Sequence, residues 1–467
     1  MDAKDRRIAE QDKEIAELKA LLRAALERIA ELEAEIARLK KHSGNSSKPP
    51  SSDIVKPTKD KDRRRKRKIG AQKGHKQHQR EPFSEEQIDN IVPLKLTACP
   101  KCKGKLQATS ESPKKHQQVE LVEKSFIITE YQQVRYWCTK CQQIHISKLP
   151  PAVKKFGLFG KNLIALTAYL KGRCHMSFSG MQDFFAEVLG IKVSTGFLAK
   201  QVRKASGALQ GTYEDLVAQL RKETHLHADE TGSKENGKRR WTWCLRAKDF
   251  TVFHIDPFRG SDVLMNLLGA DFAGTISCDF WGAYRKYEKA SKATLLYCWA
   301  HLIREVKFLS ESQTERVARY GTRLLDAIGA MFKTLHRKDD LRYWNWFRRM
   351  QEHARLILKI AWHRVPPDTD ARLVAERLRK ERVGYFRFIE LDLPATNNLC
   401  EQSIRRVVLS RKVTQGTRSE WGNRWWERIW SVLATCEQQG KSVMEFLKSA
   451  MGAWLRDRAT PNLIKNA

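Results

Sequence analysis

The sequence predicts an α+β multidomain protein, and three features carry that expectation. A heptad pattern runs through the first forty residues, two Cys-x-x-Cys pairs lie between 99 and 141, and short alternating apolar runs after residue 224 give way to long runs at helical spacing. A length of 467 residues accommodates about two to four domains with an ample core. Lys and Arg total 87 against 54 Asp and Glu, a formal charge of +33; a field of that sign draws in a polyanion and makes its binding salt-dependent. Composition alone fits a nucleic-acid enzyme and a ribosomal or chromatin protein equally. There is no signal peptide and no apolar run of bilayer length, so the cytosol is the expected location, with no membrane partner. Ten cysteines in that compartment point to thiols and metal ligands rather than a disulfide framework.

Residues 1–41 read as a dimerising helix. Ile8, Ile15, Leu22, Ile29 and Ile36 recur every seven residues, and Leu18, Ala25, Leu32 and Leu39 fill the second core position, with Gln11 the exception. Isoleucine at the first position and leucine at the second favour a parallel two-stranded coiled coil. In that register Arg7 faces Asp12 of another copy, Glu14 faces Lys19, Arg28 faces Glu33 and Glu35 faces Lys40. Every such pair is opposite in sign, which predicts a homodimer or higher oligomer. The competing reading is an amphipathic helix packed on its own core.

Residues 42–92 are a linker and a basic arm. Asn45-Ser-Ser-Lys-Pro-Pro-Ser-Ser-Asp has too little apolar content to fold alone. Between Lys56 and Arg80 there are twelve Lys or Arg and two acids, with Arg63, Arg64, Arg65, Lys66, Arg67 and Lys68 at the centre. Such an arm neutralises phosphates without reading much sequence, or is simply a solvated charge run. In residues 93–150, Cys99, Cys102, Cys138 and Cys141 can place four thiolates around one tetrahedral structural Zn²⁺. The strand-like stretches 119–128 and 131–136 between the pairs complete a zinc ribbon, read as a DNA-binding module. A redox dithiol would need a βαβ pattern that is absent.

Residues 151–215 turn helical. One helix is expected over 162–171, a second over 177–189, and a third, capped by Ser194, to about 209. That is the outline of a helix-turn-helix (HTH-like) DNA-binding region, with Thr195, Lys200, Gln201, Arg203 and Lys204 as candidate groove and phosphate contacts. Many helical hairpins share the outline and never touch DNA.

Three carboxylates follow. Asp229 closes the alternating run that begins at Thr224, ahead of strand-like stretches 240–247 and 250–256; Asp279 ends the short run 274–279; Glu401 should project from the first turns of a helix. Two strand-borne aspartates and a helix-borne glutamate can converge on a pair of divalent ions, as phosphoryl transfer requires. Glu230 should face away from those ions, because adjacent strand residues point to opposite faces. The segments Leu226-His-Ala-Asp-Glu-Thr-Gly, Ser277-Cys-Asp-Phe-Trp-Gly-Ala-Tyr, Cys298-Trp-Ala-His-Leu-Ile-Arg and Thr396-Asn-Asn-Leu-Cys-Glu-Gln-Ser-Ile-Arg-Arg closely resemble, in order, the insertion-sequence-66 family of DDE transposases. The resemblance covers nearly the whole chain.

It implies a ribonuclease-H-like catalytic core whose first part is 216–310, a helical insertion at 311–390, and a final helix with a basic, aromatic tail at 391–467. Asp229, Asp279 and Glu401 would hold Mg²⁺ or Mn²⁺, and the partners would be DNA at the element's ends, target DNA and accessory proteins of the same element. The implied setting is the bacterial cytoplasm, with the nucleoid. Cys298 and His301 offer only two metal ligands by sequence, and resemble a Cys/Asp-x-x-His element that supports the active site in other transposases with helical insertions. Arg405, Arg406, Arg411 and Lys412 are candidate backbone contacts, while Trp421, Trp425 and Trp426 either stack on bases or belong to the core. A DNA-binding regulator with a decayed catalytic domain, and a metal-dependent nuclease without joining activity, are the alternatives.

Overall fold

The computed structural model describes residues 3–41, 84–92, 117, 126–133 and 135–464. The chain divides into two compact units, one of residues 58–132 and one of 1–57 with 133–467. Of the first unit, the described residues include one 3-10 turn, Glu85–Gln87, held by a reciprocal capping box between Ser84 and Gln87.

The second unit begins with α1 (Ala3–Lys40), a helix of 38 residues. Its stripe of Ile15, Leu18, Leu22, Ile29, Leu32, Ile36 and Leu39 is exposed throughout, which rejects burial on the protein's own core. Past its end, Lys41 binds Asp370 at 2.8 Å. A hairpin of β1 (Arg135–Cys138) and β2 (Gln143–Ile146) follows, turning through Thr139 to Gln142. The strand expected over 131–136 therefore starts four residues late, and 126–133 is not extended into any ladder. The pattern of alternation was right, but a strand exists only where a partner accepts its hydrogen bonds, and β2 offers four residues.

Next come α2 (Pro151–Phe156), α3 (Lys161–Gly172), α4 (Phe178–Asp183) with a π-helical turn at Phe184–Val188, α5 (Thr195–Ala208) and α6 (Gln210–Leu220). The caps are those the sequence advertises: Ser177 Oγ accepts from Gly180 N–H at 2.9 Å and Ser194 Oγ from Phe197 N–H at 3.1 Å.

The larger sheet has five strands in the order β5-β4-β3-β6-β7. These are β3 (His225–Glu235), β4 (Lys238–Arg246) and β5 (Thr251–Asp256), each antiparallel to the next, then β6 (Thr275–Cys278) and β7 (Thr294–Tyr297), parallel to β3. Strand β3 runs six residues past Asp229, so this carboxylate lies within the strand rather than at its end. The extension is made by charged residues pairing Lys234 with Arg239 and Glu235 with Lys238, which conceals it from a hydrophobicity reading. Asn236 and Gly237, with φ of 45° and 80°, close it; two successive left-handed residues form the turn that matches strand twist. Helices α7 (Ser261–Leu268) and α8 (Gly282–Lys289) connect the strands.

Between β7 and the last carboxylate lie α9 (Trp299–Ser310), α10 (Glu315–Leu335), α11 (Tyr343–Trp362), α12 (Thr369–Lys380) and α13 (Arg382–Leu391). Then come α14 (Asn398–Thr414), α15 (Glu420–Gln438) and α16 (Val443–Leu455). Both sheet edges are covered. On β5, Glu427, Ser431 and Thr435, one turn apart on α15, accept the N–H groups of Ile255, Phe253 and Thr251 at 2.7, 2.9 and 3.1 Å. On β7, Arg387 of α13 donates to Leu295 O at 2.9 Å, and Gly384 lets α13 approach so closely that a Cβ there would lie 2.6 Å from the Tyr297 ring. Edge groups are thereby denied to other chains. Trp425 and Trp426 are buried on α15, so they are core.

Ser431→Ala should strand the buried Phe253 N–H and cost about 1–3 kcal/mol in denaturant unfolding, whereas Ser431→Thr, which keeps the acceptor, should cost less. A second outcome concerns pH. His225 Nε2 meets Ser277 Oγ at 2.8 Å across β3 and β6, and burial, reinforced by His227, pushes its pKa down to about 4. The unfolded chain therefore takes up this proton first, and stability falls on acidification from about 6.5 towards 4. His225→Asn should show a shallower loss of melting temperature across that window, even from a lower starting point.

Candidate active site

Strand pairing brings the two aspartates together. His227 pairs with Ser277 in the parallel β3–β6 register, and continuing that offset two residues sets Asp229 beside Asp279. Each makes a local bond: Asp229 Oδ1 accepts from Glu230 N–H and Asp279 Oδ1 from Trp281 N–H, both at 2.9 Å. Burial, then the charges of Glu230, Asp279 and Glu401, hold Asp229 well above the usual carboxylate range. Burial and Glu230 raise Asp279 to about 6, with Glu401 adding to the rise and the Trp281 N–H and Arg259 opposing it. Like charges concentrated in a low-dielectric site disfavour the ionised forms and would be relieved by a bound cation.

Glu401 reaches the site because Asn397 fixes the start of α14. Asn397 is buried; its Nδ2 donates to Ala228 O at 2.7 Å and its Oδ1 meets His227 Nδ1 at 3.0 Å. Its own carbonyl accepts the Glu401 N–H at 3.2 Å. The carboxylate of Glu401 faces two groups of α9: Oε2 lies 3.5 Å from Arg304 Nη2 and Oε1 lies 3.8 Å from His301 Nδ1. Burial, only partly offset by Glu401, keeps His301 below the usual histidine value. Cys298 Sγ accepts the Asn397 N–H at 3.1 Å. Sequence spacing offered two ligands here; the fold brings a third, since donor atoms of Cys298, His301 and Glu401 all lie within 4.8 Å of one another.

Glu230, the neighbour expected to face away from the ions, is buried: Arg259 Nη2 approaches it at 2.6 Å and Tyr284 Oη donates to it at 2.5 Å. Arg259 in turn lies between the rings of Trp241 and Trp281, 4.7 and 4.2 Å from their centroids. Neither Asn397 nor Arg259 was singled out from the sequence; Asn397 lies inside the quoted segment that begins at Thr396, whereas Arg259 lies outside all four segments and carried no signal.

The family model described as Transposase IS66 family matches residues 156–424, more than half of the chain. The chain belongs to that family. The zinc-finger binding domain of transposase IS66 matches residues 97–142, and a family of unknown function, DUF6444, matches 2–81. Two curated relatives from Sinorhizobium fredii (strain NBRC 101917 / NGR234) are similar to it. One, "Uncharacterized protein y4qI", is 25% identical over 300 residues, 56% of this chain and 53% of the relative. The other, "Uncharacterized protein y4hP", is 24% identical over 260 residues, 51% and 46% respectively. The chain spans about half the length of these relatives.

The remaining candidates of this IS66-family chain separate by environment. Lys200 and Arg405 are exposed. Lys204 instead donates to Phe156 O at 2.7 Å, Gln201 is buried against its own helix, and Arg203 covers Trp421 at 4.8 Å. Arg406 pairs with Glu437, and Arg411 donates to Gly232 O. Lys204, Arg406 and Arg411 are thus committed to the fold, because a cation at half-buried depth needs a partner. A cleft of about 600 Å³ on the flank of α14 is lined by Arg173, His175, Arg246, Gln402 and Arg406. Cys141 Sγ lies 3.1 Å from His145 Nε2 on the β1–β2 hairpin. Arg63 to Lys68, Cys99, Cys102 and the side chain of Cys138 fall outside the described residues.

Without metal, Asp229→Asn should raise the melting temperature, since it removes a charge buried among like charges; about 1 kcal/mol corresponds to roughly 2–4 °C in a domain of 150–250 residues. Glu230→Gln should lower it. Removing one partner of a buried pair costs on the order of 3–5 kcal/mol, reduced here because the Arg259 side chain is 32% exposed. Opposite shifts at adjacent positions, read by calorimetry in EDTA, check both.

Proposed function

We propose that this chain is a DDE transposase with a ribonuclease-H-like core, cleaving DNA at the ends of its element and joining the freed 3′ end to target DNA. The observation that carries the reading is the convergence of Asp229, on β3, and Asp279, one residue past the neighbouring parallel β6, with Glu401 on a helix packed against β3 and β4. The sheet order β5-β4-β3-β6-β7, antiparallel in its first half and parallel in its second, and the family match support it.

The three carboxylates suit Mg²⁺ or Mn²⁺ in donor chemistry, and Glu401 Oε1 is buried without a hydrogen-bond partner. A bound divalent pair supplies activation of the attacking oxygen and stabilisation of the leaving one. Asp229, Asp279 and Glu401 hold negative charge there, and Asn397 fixes the helix that presents Glu401. Water is the first nucleophile, at the phosphodiester of the element's end; the exposed 3′-hydroxyl is the second. The Trp241–Arg259–Trp281 stack offers a platform for bases beside Asp279. Exposed Lys200 and Arg405, and the arm from Arg63 to Lys68, neutralise phosphates. The match over 97–142 supports structural Zn²⁺, with Cys99, Cys102, Cys138 and Cys141 as its ligands. The exposed stripe of α1 pairs two copies as a parallel coil. Other proteins of the element assist, in the bacterial cytoplasm.

Asp229→Asn and Glu401→Gln should each lower Mg²⁺-dependent cleavage of a plasmid carrying the element's ends at least about a hundredfold, roughly 2.7 kcal/mol of barrier, while DNA binding at low salt persists. Near-normal cleavage by either variant overturns the assignment. Wild-type cleavage without joined product selects the nuclease reading, and binding with neither activity selects the regulator. Deletion of residues 1–41 should shift the sedimenting species from dimer to monomer; an unchanged mass places the interface elsewhere.

A further inference from the structure

We propose that Cys298, His301 and Glu401 form a binding site for a thiophilic divalent ion such as Zn²⁺, distinct from the Asp229–Asp279 site but sharing Glu401 with it. Their donor atoms lie within 4.8 Å of one another, and His301 Nδ1 to Glu401 Oε1 is 3.8 Å. Ligands on one tetrahedral Zn²⁺, with bonds of about 2.0–2.3 Å, stand roughly 3.3–3.8 Å apart. Too far apart to hydrogen-bond, both of those atoms are nonetheless buried and unpartnered, which is costly unless something stands between them. A water could bridge the imidazole and the carboxylate; a thiol as third neighbour favours a metal.

The three elements present the ligands rigidly. Cys298 is the N-cap of α9, where Sγ accepts the Asn397 N–H at 3.1 Å and interacts with the Ala300 and His301 N–H groups. Those donors favour a thiolate, but burial outweighs them and pushes the Cys298 thiol up, so the proton would leave as the metal binds. His301 lies one turn along the same helix, and Glu401 lies one turn into α14. Thiolate, neutral imidazole and carboxylate together balance a divalent charge, and an open fourth position is the pattern of a metal that exchanges. Mg²⁺ disfavours sulfur and nitrogen donors, so the two sites select different ions. Arg304, 3.5 Å from the other Glu401 oxygen, can hold that oxygen while Oε1 binds the ion.

A consequence follows that rests on the proposed function: an ion drawing on Glu401 from the α9 side withholds it from the aspartate pair, so Zn²⁺ should inhibit Mg²⁺-dependent cleavage. Binding itself is independent of that reading.

The test uses the full-length chain with Cys99, Cys102, Cys138 and Cys141 all changed to Ser, which removes the ribbon thiolates that would also bind Co²⁺; it is dialysed against EDTA and titrated with Co²⁺, whose thiolate charge-transfer band reports sulfur ligation. One equivalent should give that band in this background and lose it when Cys298→Ser is added; His301→Ala in the same background should weaken binding at least tenfold with its melting temperature retained. A band that survives Cys298→Ser, or binding unaffected by His301→Ala, overturns the site. Where Cys298→Ser fails to fold, the His301→Ala titration decides. In the cleavage assay, the fold-inhibition by Zn²⁺, taken against each protein's own zinc-free rate, should shrink in His301→Ala. Absent cleavage counts against the transposase reading alone, since the Co²⁺ titration still decides the site.

Discussion

The buried amide of Asn397 is the interaction on which the site depends. Its two polar atoms and its backbone join three elements: strand β3 through Ala228 O and His227, helix α9 through Cys298 Sγ, and the first turn of α14 through Glu401 N–H. An amide suits this position because it donates and accepts at once, and the interior exacts a penalty for any polar atom left over. Asp229 lies one residue beyond the carbonyl that Asn397 holds, and Glu401 lies four beyond Asn397 itself. One side chain thus sets the spacing between a strand carboxylate and a helix carboxylate that are 172 positions apart in sequence.

That anchoring works against the electrostatics of what it positions. Burial and the charge of Glu230 push both Asp229 and Asp279 up, so negative charge is costly where the fold holds these carboxyls. Glu230 adds to this repulsion from the interior side, yet it also fastens Arg259, which is clasped by two tryptophans. Holding like charges together at this depth costs stability.

Much of this was legible in the sequence because its signals were local. Ser194 announced the start of α5, the stretches 240–247 and 250–256 lie on β4 and β5, and the run 274–279 holds β6, with Asp279 one residue past its end. What escaped was what only the third dimension decides. The charged end of β3 has no apolar alternation to betray it, and its Asn236-Gly237 turn was overlooked. Glu230 was expected to face away from the ions, but nothing local in the sequence pointed to its burial beside Arg259 and Tyr284. Cationic residues such as Arg406 and Arg411 look alike in sequence whether they await phosphate or hold Glu437 and Gly232.

The long interval before Glu401 also gains a structural reason. Strand β7 is a sheet edge, and without α13 the Leu295 carbonyl and the Tyr297 ring would face solvent; Arg387 and Gly384 close that edge as Glu427, Ser431 and Thr435 close the other. Helices α9 to α13 therefore complete the sheet as well as extend it. Trp299, buried at the start of α9, donates to Tyr385 O on α13 at 2.6 Å, and the Trp299 N–H is received by Ala395 O. The backbone leading into Asn397 is thus tied to the same helix that carries His301 and Arg304. Any change that loosened α13 from β7 would be felt through Trp299 at the groups facing Glu401, which makes the helical segment part of the site's geometry.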